Sequence, residues 1–310
     1  MPYLPTNYGL LDEADSDYDR ARAVVLPVPF ERTVSYGHGT AAGPAAILRA
    51  SQSMELYDEE LASEPFRLGI ATLPPFLPEA FDLGEALGEL QAEAATHLAA
   101  GKFLVTLGGE HSLTTAPARA ARAAAGGEIG IVQFDAHADL REEFEGTPFS
   151  HASVMSRLVE DGLSTLPVGI RSLSAPEAAL IRDHQMPVIW GHELADPGTP
   201  ERFERLLDAL PDTVYLTFDI DYFDPALVPA TGTPEPGGGQ WWPTLALLRT
   251  LFQKKTVIAM DLVELAPLGG HPASDFLAAK LVYKCLAYLQ EAEAPEDEGQ
   301  EGGGQETEGQ

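Results

Sequence analysis

Residues 129–139 read Ile-Gly-Ile-Val-Gln-Phe-Asp-Ala-His-Ala-Asp, and this stretch decides the fold. Its first six residues are mostly apolar, which is typical of a strand buried on both faces of a parallel sheet. Carboxylate and imidazole side chains follow directly where that strand should end. Because open parallel sheets place their sites at the carboxyl ends of strands, the stretch predicts an α/β fold with a functional site at that edge.

The rest of the chain repeats this alternation of short β-branched runs with Ala- and Leu-rich helical patterns. Such alternation predicts a three-layer α/β/α domain with an eight-stranded, mostly parallel sheet. The predicted strands are Ala23–Pro27, Arg67–Thr72, Phe103–Leu107, Ile129–Phe134, Leu166–Ile170, Pro187–Trp190, Thr213–Phe218 and Thr256–Met260. The predicted helices are Pro44–Ser51, Glu79–Ala100, Thr115–Ala125, Ala175–Asp183, Pro200–Leu210, Thr244–Phe252 and Ser274–Gln290.

Composition divides the chain into one long domain and a short tail. We predict a single domain over residues 1–290, whose polar first twenty residues wrap its surface. Residues 291–310 hold eight acidic residues, five glycines and no base, which predicts a disordered acidic tail. The one cysteine, Cys285, lies in an apolar helical pattern and is predicted to be a buried core residue.

The formal net charge of −29 limits the partners of this 310-residue chain. A nucleic-acid interface needs a basic face, and an anionic membrane surface would repel the protein, so neither partner is expected. A hydrophobic content of 45% excludes a chain that is disordered throughout. No signal peptide and no apolar run of about 18 residues is visible, so we expect a cytoplasmic location.

Four polar segments stand at or just after the carboxyl ends of predicted strands. Parallel strands bring these ends to one edge of the sheet, so the segments are expected to meet there. The segments are Gly108–Ser112, Asp135–Asp139, Asp219–Pro225 and Asp261–Glu264.

In two of these segments, the spacing of the charged residues allows their side chains to converge. Residues i, i+2 and i+4 of an extended chain project to the same side, so Asp135, His137 and Asp139 can point at one centre. Asp219 and Asp221 form a second pair of this kind. Grouping such carboxylates without a counter-charge is costly and would force pKa shifts, and a metal centre is the simplest resolution.

The donor set indicates which metal the centre would bind. Four carboxylates balance two divalent cations, while His111 and His137 offer neutral nitrogen ligands. An oxygen-rich set with two imidazoles and no thiolate suits Mn²⁺, with Zn²⁺, Fe²⁺ and Co²⁺ as weaker options. A single Asp-x-Asp is usually a turn or a cap, and a turn is what we expect of Asp224-Pro225. Three such pieces at strand ends of one chain favour a metal site.

The motifs together resemble those of the ureohydrolases, the arginase/agmatinase family. They are Gly-Glu-His-Ser at 109–112, Asp-Ala-His-Ala-Asp at 135–139, Ser-His-Ala at 150–152 and Asp-Ile-Asp-x-x-Asp-Pro at 219–225. Residues 33–44 are similar to the loop after the first strand in that family. The resemblance implies an arginase/deacetylase-like fold, two Mn²⁺ per subunit and a homotrimer or homohexamer. It also implies hydrolysis of a guanidino group to urea and an amine by a metal-bridging hydroxide.

The resemblance assigns the metal ligands residue by residue. One Mn²⁺ would be held by His111, Asp135, Asp139 and Asp219. The other Mn²⁺ would be held by Asp135, His137, Asp219 and Asp221, so that Asp135 and Asp219 bridge the two ions.

Three residues carry catalytic or substrate-binding roles under the same resemblance. Asp139 would relay a proton from the hydroxide to the leaving nitrogen, His151 would be the proton shuttle beside the substrate, and Glu264 would hold the guanidinium. His38 is a further candidate for the pocket wall. Glu110 stands where arginases usually carry Asp, which favours an agmatinase-like enzyme over an arginase.

The loop after the second metal motif bears on the substrate. Residues 140–150 contain three Glu, one Arg and no Asn, so the loop should repel a carboxylate and attract a second cation. We therefore expect agmatine first, giving putrescine and urea, and then N1-aminopropylagmatine, guanidinobutyrate and arginine. Arg141 would serve guanidinobutyrate by holding its carboxylate.

Two hypotheses from other classes remain open at this point. In the first, the chain is a deacetylase-type hydrolase with one Zn²⁺, and the six expected ligands argue against it. In the second, it is a non-catalytic metal-binding or partner-binding protein whose acidic tail recruits basic partners. His151 and Glu264 argue against the second, because neither is needed merely to hold a metal.

Overall fold

The computed structural model describes residues 6–294, and a single sheet of eight strands runs through its centre. The strands are β1 (Ala23–Val28), β2 (Ile70–Thr72), β3 (Phe103–Gly108), β4 (Gly130–Phe134), β5 (Ser164–Ile170), β6 (Ile189–Trp190), β7 (Thr213–Asp219) and β8 (Thr256–Val263). Their order is β2-β1-β3-β8-β7-β4-β5-β6, and neighbouring strands are parallel. The predicted eight-stranded parallel sheet is confirmed.

Helices connect the strands and cover the sheet. They are α1 (Glu13–Ser16), α2 (Gly43–Ser51), α3 (Leu83–Ala99), α4 (Thr115–Ala125), α5 (Val154–Glu160), α6 (Ala175–Asp183), α7 (Thr199–Asp208), α8 (Trp241–Lys254) and α9 (Ala273–Glu293). The bounds of α4 and α6 are those predicted from the sequence. Helices α1 and α5 were not predicted, because each is too short to show a periodic apolar face.

The apolar residues of the strands divide between two cores. Along β1, Val25 faces the core formed with α2, α7, α8 and α9, while its neighbour Val24 faces the core formed with α3, α4, α5 and α6. Phe103 and Leu104 of β3 divide in the same way, since successive side chains of a strand point to opposite faces. The three-layer α/β/α architecture follows from this alternation.

Strands β2 and β8 show the largest differences from the predicted bounds. The predicted strand Arg67–Thr72 begins only at Ile70, because the chain turns through Pro65–Leu68 and Gly69 has a left-handed φ of 74°. Strand β8 continues to Val263 rather than ending at Met260.

The end of α9 lies at the amino edge of the sheet, beside the start of β1. Helix α9 continues to Glu293, three residues past its predicted end at Gln290, and Arg22 bonds Glu293 at 2.6 Å just before β1 begins. Glu291 likewise pairs with Arg249 of α8 at 2.5 Å. Residues 295–310 of the expected tail lie outside the described residues.

The start of the described chain is anchored more deeply than the expected surface wrap. Tyr8 is fully buried, and its hydroxyl donates to the carbonyl oxygen of Ala279 in α9 at 2.6 Å. Cys285 of the same helix is buried as predicted, and burial raises the pKa of its thiol. Within residues 6–294, no helix has both the length and the apolar character needed to span a membrane.

Candidate active site

The polar segments meet at the carboxyl edge of four adjacent strands. In the sheet order these strands are β3, β8, β7 and β4, so their carboxyl ends form one continuous rim. Gly109, which follows β3, lets the chain after β1 pack closely against this rim, because a Cβ there would lie 2.0 Å from the carbonyl oxygen of Phe30. The sheet thus brings segments from four separate parts of the chain to one place.

A first group of ligand atoms surrounds His111. Its Nδ1 lies 3.1 Å from Oδ2 of Asp135, 3.1 Å from Oδ2 of Asp139 and 3.3 Å from Oδ2 of Asp219. All four side chains are buried. Ligand atoms of His111, Asp135 and Asp139 lie within 4.8 Å of one another, close enough to hold one ion.

A second group shares Asp135 with the first. His137 Nδ1 lies 2.9 Å from Oδ2 of Asp221 and 3.7 Å from Oδ1 of Asp135, and the three residues could hold a second ion. Asp219 lies between the groups, with its Oδ2 near His111 Nδ1 and its Oδ1 accepting a hydrogen bond from the Asp221 backbone N–H at 2.9 Å. The structure therefore brings all six expected ligands together, and Asp135 belongs to both groups.

The chemistry of this cluster fits divalent cations. His111 Nδ1 and Asp221 Oδ2 are buried atoms without a hydrogen-bond partner, although charged atoms of opposite kind lie within about 3 Å of each. Burial, with the charges of Asp139 and Asp221, raises the pKa of Asp135 to about 7, so the cluster is short of positive charge. An oxygen-rich donor set with two imidazoles suits Mn²⁺ or a similar ion.

A hydrogen-bonded chain behind His111 sets its tautomer. Tyr215 and Thr217 both donate to Asp261, at 2.7 Å in each case, and His111 Nε2 lies 2.8 Å from the Thr217 hydroxyl. Since the Thr217 proton is engaged by Asp261, His111 Nε2 must donate and Nδ1 keeps its lone pair for a metal. Sequence reasoning placed Asp261 near the site without assigning it a role, and it did not identify Tyr215 or Thr217. The polar atoms of these two residues interrupt the otherwise apolar sequence of β7.

Glu264 faces the cluster from the end of β8. Its backbone has a left-handed φ of 64°, its N–H donates to the Gly109 carbonyl at 2.8 Å, and its Oε1 accepts from the His111 N–H at 2.6 Å. Burial, opposed by the His111 N–H and reinforced by the charge of Glu110, raises the pKa of Glu264 to about 8. A buried carboxylate of this kind gains from binding a cation such as a guanidinium.

One cavity of about 260 Å³ joins these groups. His151 and Glu264 line it together with His111, His137, Asp139 and Asp219. Glu177, at the start of α6, is a further lining residue that the sequence did not indicate, and it is only 5% exposed. Its carboxylate accepts hydrogen bonds from Leu140 N at 3.0 Å and from the N–H and hydroxyl of Ser174.

The loop of residues 140–150 contributes differently from the expectation. Its three glutamates, residues 142, 143 and 145, are exposed and do not line the cavity. Arg141 and Phe144 line it instead, with the Arg141 guanidinium 5.1 Å from the centre of the Phe144 ring. The carboxylate that faces the cavity at this point belongs to Glu177 of α6 and not to a glutamate of the loop.

Two other polar residues have structural positions. Asp224 forms the expected turn, since its two oxygens accept from Ala226 N at 2.9 Å and Gly237 N at 2.8 Å. His38 is exposed beside Glu31 at 3.3 Å and does not line the cavity, contrary to the suggestion from the sequence.

Comparisons with known proteins agree with this geometry. An N(1)-aminopropylagmatine ureohydrolase of Synechocystis sp. is 43% identical over 290 residues, covering 92% of this chain and 94% of that protein. An agmatinase of Pyrococcus horikoshii is 32% identical, covering 90% and 93%. The crystal structure of the agmatine ureohydrolase of Thermoplasma volcanium matches with a TM-score of 0.80 and 29% identity, covering 89% and 93%. Because the model of the arginase family also matches residues 21–288, the whole of the sheet and its site, the chain belongs to the arginase family.

Proposed function

We propose that this ureohydrolase releases urea from a small guanidino compound that carries a second positive charge. N1-aminopropylagmatine is the preferred substrate in this proposal, and agmatine is the second. The sequence alone ranked agmatine first. The order is changed because similar proteins at 43% and 39% identity are named N(1)-aminopropylagmatine ureohydrolases, while the agmatinase from Pyrococcus horikoshii is 32% identical.

The observation that carries the proposal is the placement of the metal cluster, Glu264 and His151 in one cavity. Two divalent cations, which we propose to be Mn²⁺, would be held by the six Asp and His residues and would activate a water molecule by lowering its pKa. The Glu264 carboxylate would orient the guanidinium by charge-assisted hydrogen bonds. Asp139 would accept a proton and deliver it to the leaving nitrogen, while His151 would exchange protons with the cavity.

The far end of the substrate would meet Glu177. This carboxylate is buried in the cavity wall and would favour an ammonium group at that end. Arg141 supports guanidinobutyrate as a third candidate substrate, because this arginine lines the same cavity and could hold a carboxylate. The two residues make opposite demands on the charge at the far end.

A substrate panel tests the proposal. Purified protein loaded with Mn²⁺ is assayed for urea with N1-aminopropylagmatine, agmatine, guanidinobutyrate and arginine. We expect kcat/KM for N1-aminopropylagmatine to exceed that for arginine at least about tenfold, or roughly 1.4 kcal/mol. Equal turnover of arginine would overturn the substrate assignment.

Two matched variants separate the candidates. Glu177→Gln should lower kcat/KM for N1-aminopropylagmatine and agmatine, whose far ends carry an amine, and should affect guanidinobutyrate less. Arg141→Gln should lower kcat/KM for guanidinobutyrate alone if that compound is the substrate. Elemental analysis of the same preparations should give two metal ions per chain, whereas one ion per chain would favour a deacetylase-type site.

A further inference from the structure

His151 lies in the cavity wall with both ring nitrogens near hydroxyl groups. Its Nδ1 is 3.3 Å from Thr33 Oγ1, and its Nε2 is 3.5 Å from Ser35 Oγ. The backbone N–H of His151 donates to the same Thr33 oxygen at 3.1 Å. The Phe144 ring packs edge-on against the imidazole, with centroids 5.6 Å apart. Thr33 thus contacts His151 at both its backbone and its ring.

The single proton of the Thr33 hydroxyl is engaged by Glu110. This side chain is fully buried, and Thr33 Oγ1 lies 2.9 Å from its Oε1. The two carboxylate oxygens also accept from Ser112 Oγ at 2.5 Å, Arg32 N at 2.7 Å and Thr33 N at 2.6 Å. A carboxylate surrounded by four donors can only accept, so the Thr33 hydroxyl is the donor in its bond to Glu110.

The Thr33 oxygen can then only accept from the ring of His151. We infer that Thr33 is a positioning residue, which holds His151 as the tautomer protonated on Nδ1 and leaves Nε2 as its basic nitrogen. A neutral imidazole has one N–H, so the acceptor beside Nδ1 decides which nitrogen carries it. The catalytic consequence rests on the proposed function, in which His151 exchanges protons with the cavity.

The length of Glu110 suits it to this task. It follows β3 and reaches across to the loop after β1, where it binds the backbone N–H groups of Arg32 and Thr33 in addition to the hydroxyl. These backbone bonds fix the place of the hydroxyl relative to His151. Aspartate, the residue expected here in arginases, is one methylene shorter.

Removal of the hydroxyl tests the inference. Thr33→Val keeps the branched shape, and we expect kcat to fall at least about tenfold while KM changes less than about threefold, since the proton carrier but not the guanidinium site is disturbed. Thr33→Ser should restore kcat to within about threefold of the parent. Thr250→Val, which removes a hydroxyl bonded to Ala246 on α8, is the matched control. Equal kcat in Thr33→Val and the parent, or equal loss in Thr33→Val and Thr33→Ser, would overturn the inference.

Nitrogen-15 NMR of histidine-labelled protein tests the tautomer without substrate. The signals of His151 are assigned by comparison with His151→Asn. We expect a protonated Nδ1 and an unprotonated Nε2 in the parent, and loss of this preference in Thr33→Val. An unprotonated Nδ1 in the parent contradicts the inference even if Thr33→Val fails to fold. Failure of the substrate panel with the expected tautomer present would overturn the proposed function and leave the hydrogen-bond assignment standing.

Discussion

Asp139 and Glu264 share an unusual backbone conformation. Their φ angles are 51° and 64°, in the left-handed region that side chains other than those of Gly, Asn and Asp rarely adopt. For Glu264 this conformation costs about 1–2 kcal/mol. Because it follows Val263 at the end of β8 directly, the left-handed turn redirects its carboxylate toward the His111 N–H. Strain of this kind persists where the surroundings fix it and is concentrated at functional sites.

Glu264→Gln tests the role of that carboxylate. The amide keeps an oxygen for the His111 N–H but loses the negative charge that would bind a guanidinium. We expect kcat/KM to fall at least about 100-fold, or roughly 2.7 kcal/mol, with two metal ions retained. Steady-state kinetics and elemental analysis measure the two effects. Glu142→Gln, on the exposed loop, is the control, and equal kinetics for both variants would contradict the assignment.

Sequence spacing located the metal-ligand candidates but not the residues behind them. Asp135 directly follows β4, and His111 and Asp221 lie in short 3-10 turns within three residues of the ends of β3 and β7, so the strand ends are enough to place them on one rim. Thr33 and Glu177 come from a loop and a helix start that meet the cavity only after the chain has folded. No local pattern reports such long-range contacts.

At the scale of elements, the register of three strands builds the support of the metal centre. Asp261 of β8 stands opposite Thr106 of β3 and Thr217 of β7, and it is fully buried between them. Its carboxylate accepts from Thr217 and from Tyr215, two residues back along β7. Sequence reasoning ended β8 at Met260 and so placed Asp261 after the strand, where it has no cross-strand partners.

Asp261→Asn should weaken metal binding without touching a ligand. An amide offers one acceptor where the carboxylate offers two, so Thr217 can reverse its hydroxyl and His111 loses its fixed tautomer. We expect metal affinity to fall about 10–100-fold, as is usual for supports of a metal-binding histidine. Titration of the metal-free protein against a competing chelator measures the change. Asp224→Asn, in an exposed turn, should bind metal as the parent does, and unchanged affinity in Asp261→Asn would contradict the inferred tautomer.

At the scale of the whole molecule, the metal centre couples stability to pH. Burial and the charges of Asp139 and Asp221 raise the pKa of Asp135 to about 7, far above the value of about 3.9 for an unfolded Asp. Burial alone would lower the pKa of His137, but Asp221 and Asp135 raise it to about 11. Because both pKa values are higher in the folded chain than in the unfolded chain, the folded, metal-free chain binds more protons above about pH 4. Its free energy of unfolding therefore falls as pH rises.

Metal removal should therefore make the thermal midpoint depend more strongly on pH. We expect the midpoint of chelator-treated protein to fall by at least about 5 °C more than that of Mn²⁺-loaded protein between pH 5.5 and 8.5. Thermal unfolding of both forms in matched buffers measures the difference. The loaded protein is the control for surface charge, which acts on both forms. If the midpoints of the two forms change equally with pH over this range, the cluster does not need cations to offset its charge.

The assembly remains a prediction, and an exposed apolar patch offers a way to test it. Trp242 and Phe276 are 58% and 41% exposed, and both lie near Lys284. Light scattering of the purified protein should give the mass of a trimer or hexamer. We expect Trp242→Glu to shift that mass downward, because such patches often mark contacts between subunits. A monomeric parent would contradict the expected assembly.

The ion pair between Arg22 and Glu293 has a practical consequence. It holds the end of α9 beside the start of β1, at the edge of the sheet opposite to the cavity. An enzyme tethered to a bead through the chain that follows α9 would be held at the amino edge of the sheet. The mouth of the cavity, at the carboxyl edge, would then face the bulk solution.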